Sequence, residues 1–171
     1  MAPRAKIKDG GATPTETISP FSVRYKVASN PGDYAAAQRL LRSLNLDMHQ
    51  HVSHQRNLVR LTFPTIMAWE VDQLVGILGT RICNQMIIAG PLALLQDRRR
   101  TMTAVRLCEA YISAMRTMGI ETFILGTKEG DFIHKGIQRI HPSLQPYRVE
   151  GDRLFYVWRT DNFLMEREEH L

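Results

Sequence analysis

The sequence predicts a mixed α/β domain: one twisted, mostly antiparallel sheet of six to seven strands with helices on both faces. Three observations predict it. Apolar runs at 65–71, 74–82 and 86–94 follow one another across links of two and three residues, the spacing of an antiparallel meander. The strongest amphipathic stretch, from Thr103 to Met118, leads into an apolar run at 121–126. A strand reached through a helix runs parallel to its partner. Two further runs, 146–150 and 153–160, flank Glu150-Gly151-Asp152, a hairpin signal.

Each element has its own justification. Residues 21–28 (FSVRYKVA) alternate as a strand does, and Ser29-Asn30-Pro31-Gly32 breaks the run. Asp33 is then a candidate helix cap, followed by Ala37, Leu40, Leu41 and Leu44 on one helical face. Residues 45–61 are polar and rich in histidine, without a clean period, and are expected to form a loop plus a short helix. Gly90-Pro91 interrupts the third meander run. Proline cannot donate to a ladder, and glycine there marks a bulge or a close backbone approach. In the long helix Ala104, Leu107, Cys108, Tyr111, Ile112, Met115 and Met118 share a face, and Gly119 ends it. A shorter helix at 131–140 carries Ile133, Ile137 and Ile140 on one face and stops at His141-Pro142.

The flanks differ from the centre. Residues 1–20 hold Pro3, Gly10, Gly11, Pro14 and Pro20 among Ser and Thr, a composition too poor in apolar surface to offset ordering entropy, and read as a tail. Residues 161–171 read as an acidic tail, leaving 21–160 as the folded domain. The 171 residues include 22 basic and 17 acidic side chains, a formal charge of +5, with 44% apolar residues. That is ordinary globular composition. No apolar run reaches membrane-spanning length, and no apolar leader opens the chain, so no membrane partner is expected. Cys83 and Cys108 suggest free thiols in a reducing compartment, hence a cytoplasmic protein. The basic excess gathers only at Arg98-Arg99-Arg100, which leaves nucleic acid a poor third choice of partner. His49, His51 and His54 have no accompanying cysteine or carboxylate motif, and no metal is assigned.

The element order, and the sequence from strand Met86–Leu94 through loop 96–102 to helix 103–118, resembles the GNAT family of N-acyltransferases over residues 21–160. In that family the loop binds pyrophosphate and reads Gln or Arg, two residues, Gly, one residue, then Gly or Ala. Here Thr101 and Thr103, or Arg99 and Thr101, fall at the glycine places. The resemblance implies acetyl-coenzyme A as cosubstrate and an amine-bearing small molecule or protein as acceptor. It implies that Arg98, Arg99, Arg100, Thr101, Met102 and Thr103 meet the phosphates at a helix N-terminus. The backbone of Ile87, Ile88 and Ala89 would meet the pantetheine arm where two strands splay. An acid or base for acyl transfer is scarce: Glu70 near the first meander turn and His134 after the parallel strand are the candidate catalytic residues. Buried Tyr111 reads as core. The alternative is a catalytically inactive protein on the same scaffold, such as a bacteriophage virion component, self-assembling or docking through its tails.

Overall fold

The structure, a computed structural model, describes residues 22–50, 56–99 and 101–161. The expected N-terminal tail and all of the expected C-terminal tail after Asp161 lie outside that range, as do Arg100, His51 and His54.

Strand β1 (Val23–Val27) precedes helix α1 (Pro31–Ser43). The cap of α1 is Asn30 rather than Asp33: the Asn30 side chain accepts from the Asp33 amide at 2.9 Å, with Pro31 preset for the first turn. Asp33 reaches back instead, accepting from the Ser29 amide at 2.9 Å and pairing with Lys26 at 2.9 Å. Residues 45–61 correct a second expectation. Where a loop plus a short helix was expected, the described residues carry an antiparallel pair, β2 (Met48–Gln50) and β3 (Arg56–Leu58), and 51–55 lie outside the described residues. Val59 anchors the hairpin's exit: it is buried, its amide donates to the Asp47 carbonyl and its carbonyl accepts from Gln38.

The meander follows as β4 (Thr62–Glu70), β5 (Gln73–Cys83) and β6 (Met86–Leu94). A 3₁₀ turn at Gln96–Arg98 leads to helix α2 (Thr103–Thr117), then strand β7 (Thr122–Lys128), helix α3 (Phe132–Ile140) and the hairpin β8 (Arg148–Glu150) and β9 (Arg153–Arg159). The main sheet has seven strands in the order β1-β4-β5-β6-β7-β9-β8, antiparallel except for β6 beside β7. This is the mixed sheet expected from the sequence, with the parallel pair where the helical crossover placed it.

Two cores sandwich the sheet. Leu107, Tyr111 and Met115 of α2 and Ile137 of α3 pack on Ile66, Leu78, Phe123, Tyr156 and Trp158. On the opposite face Ala37, Leu40 and Leu41 of α1 pack on Met67, Ile77 and Ala93, which belong to β4, β5 and β6 only. No helix among the described residues is long and apolar enough to cross a membrane.

Candidate functional site

The parallel pair is the anomaly of the sheet. β6 and β7 are joined at only two positions, Ile88↔Ile124 and Ala89↔Leu125. Beyond Ala89, β6 continues with β5 alone and β7 continues with β9 alone. The break falls at Gly90, whose φ of +127° is accessible to glycine and strained for other residues. Pro91 follows with no amide to donate. The pairing with β5 shifts register here, three residues of β6 from Leu92 to Ala89 spanning two of β5 from Leu78 to Thr80. The two strands therefore diverge in a V, with unpaired backbone edges from Gly90 and from Gly126 onward. Ile88 and Ala89 form its apex, and Ile87 lies just behind it.

A cavity of about 230 Å³ runs beneath the V between α2 and α3. Ala89 and Leu125, the last joined pair, line it with Cys108, Ile112, Gly136 and Trp158. The surface is almost wholly apolar. Burial pushes the Cys108 thiol up to about 12, so it is no nucleophile at neutral pH. Tyr111 is core, as its place on the helical stripe implied. Its hydroxyl lies 2.7 Å from Thr80 Oγ1, which itself donates to the Pro64 carbonyl, and burial raises it to about 12.

The open end of the V faces the turn before α2. The N-cap, Met102, has a side chain that cannot cap. Thr101 Oγ1 donates to the Arg98 carbonyl at 2.8 Å and accepts from the Thr103 amide at 3.3 Å. The Thr101 and Thr103 hydroxyls are 2.9 Å apart. No acidic side chain occupies the first turn, whereas α1 and α3 are capped by Asn30 and Asp131. Arg99 and Met102 are exposed at this corner, and Thr103 is buried beside Tyr25.

Two predicted site residues meet each other. The Arg98 guanidinium is paired with the Glu70 carboxylate, and the two side chains are only 19% and 15% exposed. The topology brings them together, because β4 and β6 end at the same edge with β5 returning between them. His134 is buried in the first turn of α3, where its Nδ1 accepts from the Gly130 amide at 2.8 Å. That bond leaves the proton of the neutral ring on Nε2. Asp131 holds the same turn, accepting from the amides of Lys128 and His134 and from the Thr127 hydroxyl. Among the described residues no group of three or more His, Cys, Asp and Glu could hold a metal ion.

No protein-family model and no curated protein sequence matches the chain. Solved structures do. An N-acetyltransferase from Staphylococcus aureus Mu50 superposes with a TM-score of 0.57 at 10% identity, covering 81% of this chain and 99% of the other. A structure described as a GNAT-family acetyltransferase from Desulfovibrio desulfuricans gives 0.52 at 14%, covering 81% and 99%. The chain has the GNAT fold. A chain of the NatC complex, solved with Gag peptide and coenzyme A, gives 0.52 at 14%, covering 81% and 98%. At these identities the likeness is one of fold, and the site rests on this chain's own residues.

One pair of residues on the GNAT scaffold escaped the sequence reading. Arg81 and Arg153 share the sheet face away from α2 and α3, and the only signal was a charged residue inside the apolar run LGTRIC.

Proposed function

We propose that this protein is an N-acyltransferase that moves an acetyl group from acetyl-coenzyme A to an amine. The observation that carries the reading is the V between β6 and β7, which opens toward a helix N-terminus whose N-cap residue, Met102, offers no side-chain cap and whose first turn holds no acidic residue. Open strand edges suit the amides of a pantetheine arm, which can add to them as a further strand. The first-turn amides of α2, the Thr101 hydroxyl and the exposed Arg99 suit a pyrophosphate, with Arg100 the further cation in the sequence. Bound acetyl-coenzyme A would supply an activated thioester. The NatC structure, solved with coenzyme A, supports this choice of cosubstrate.

The chain's own contribution is chiefly positioning. The apex backbone of Ile87, Ile88 and Ala89 fixes how deep the arm reaches, and the apolar walls under the V exclude water. Glu70 fastens Arg98, and with it the loop, to the end of β4 rather than acting as a base. His134 offers a fixed Nε2–H beside the end of β7, suited to donating a hydrogen bond to a leaving thiolate; with Nδ1 already accepting from the Gly130 amide, the proton the thiolate takes up would come from solvent or from the reacting amine.

The test is thermal unfolding with and without coenzyme A. At a hundred times its dissociation constant a ligand adds about 2.7 kcal/mol, or a rise of about 5–10 °C for a chain this size. Replacing Arg99 should reduce that rise. No rise at millimolar coenzyme A would refute the reading. A non-catalytic protein on the same scaffold, such as a virion component, is favoured by one observation: Glu70 already occupies the Arg98 guanidinium. It would show assembly without coenzyme A binding.

A further inference from the structure

The register places two arginines on the sheet face away from α2 and α3. Arg81 is opposite Ile88, Ile88 opposite Ile124, and Ile124 opposite Val157. The neighbouring row, Thr80, Ala89, Leu125 and Tyr156, faces α2 through the Thr80–Tyr111 contact. Arg81 therefore faces the other way, and strand alternation puts Arg153 and Phe155 on the same side as Val157. The α1 core draws strand residues only from β4 to β6, and Val157 is exposed. Among the described residues no helix packs on this face over β7 and β9, and Arg81 lies in the Ile88–Ile124 row, one of the two that form the V's apex.

Arg81 is half-buried, and its Nε is shielded from solvent with no hydrogen-bond partner among the described residues. It forms no ion pair among the described residues. The charged neighbour that acts on it most is Arg153, a like charge, and burial and that repulsion together lower its pKa. The two acidic groups of the β8–β9 hairpin are paired elsewhere, Glu150 with Arg148 and Asp152 with Lys128 at 3.5 Å. A guanidinium stays protonated, and shielding it without a counter-charge is costly. Such a group is relieved by a ligand that brings negative oxygens, and its planar fork matches carboxylate or phosphate.

We propose that Arg81 and Arg153 hold the oxyanionic group of the acceptor, so that the acceptor is an amine that also carries a carboxylate or a phosphate. The word acceptor rests on the acyltransferase reading; the anion site rests on the arginine pair. The anion would lie on the face opposite α2 and α3, close to the apex where a thioester in the V would end. That placement directs the amine toward the acyl carbon.

The experiment titrates the full chain with L-glutamate, O-phosphoethanolamine and ethylamine, by calorimetry and thermal unfolding, with and without coenzyme A. One or both oxyanionic amines should bind and raise the melting temperature, with ethylamine inert, and the preferred one identifies the anion. Arg81→Met and the exposed-site variant Arg153→Gln should each weaken that binding at least about tenfold. Without ligand Arg81→Met should be no less stable than the parent, since it removes an unpaired charge. Equal binding of ethylamine and glutamate, or unchanged oxyanion affinity in both variants, would overturn the proposal. So would loss of coenzyme A binding in Arg81→Met, which would assign the arginine to the cosubstrate. Arginine-dependent anion binding in a chain that ignores coenzyme A would leave the anion site standing and remove the acyltransferase reading.

Discussion

Replacing Glu70 by Gln should damage stability and cosubstrate affinity while leaving the chemical step nearly intact. The carboxylate is paired with Arg98, and both side chains are more than four-fifths withdrawn from solvent. Exposed ion pairs contribute about 0–1 kcal/mol, and removing one partner of a fully buried pair costs about 3–5 kcal/mol. An intermediate burial places Glu70→Gln near 2 kcal/mol of lost stability. Arg98→Met should cost a similar amount, and the double variant less than the sum, with a coupling of about 1–2 kcal/mol. Urea unfolding of the four proteins measures the cycle. Steady-state kinetics with acetyl-coenzyme A should show KM raised several-fold as the loop before α2 loosens, with kcat within about twofold. A coupling of zero would refute the latch. A kcat fallen a hundredfold with stability and KM unchanged would refute it from the other side, by making Glu70 a base.

The remaining predictions concern the groove and the helix ends. Gly136 lines the cavity, and a Cβ built there meets nothing within 4 Å. Gly136→Ala should therefore stabilise α3 by about 0.4–1 kcal/mol by thermal unfolding, while Gly136→Phe should fold and abolish the melting-temperature rise with coenzyme A. Asp131 caps α3 through three accepted hydrogen bonds, so Asp131→Ala should cost about 2 kcal/mol in urea unfolding and release His134 from its fixed orientation. Asp33 has its pKa lowered below 3.8, first by the Ser29 amide and then by Lys26. The depressed folded pKa means its contribution is present above about pH 3.8 and is lost as pH falls through the lower folded value. Asp33→Asn should therefore be less stable than the parent at pH 6 and nearly equal to it at the acid extreme, as followed by circular dichroism.

Most of the scaffold was legible because local rules and tertiary packing agree there. The meander is written in apolar runs with short links, and the parallel strand follows from the helix that must precede it. Asn30 and Asp33 show where local rules compete. Both are cap residues, and Pro31 decides between them, since its fixed φ suits the first helical position and makes the residue before it the cap. The hairpin at 48–58 was not legible: its strands are three residues each, too short for alternation to be seen, and they are held by contacts such as Gln38 to Val59 that come from α1.

The site divides along the same line. Gly90-Pro91 marked the break in the sheet because a missing amide and a positive φ are properties of single residues. What the cations do is not such a property. Arg98 and Arg99 are adjacent and chemically identical, yet one is turned inward to a carboxylate 28 residues earlier and the other is exposed at the mouth of the V. Arg81 is separated from Arg153 by three crossings of the sheet. An ion pair between distant strands depends on which side chains the register brings to one edge, and a one-residue slip would turn Arg81 into the α2 core. Register is fixed by the sum of the packing on both faces. The irregularity itself belongs to β6, where three residues from Leu92 to Ala89 span two of β5 from Leu78 to Thr80, so Gly90-Pro91 starts the V while the unbroken alternation of β5 keeps Leu78 and Thr80 toward α2 and turns Arg81 to the opposite face.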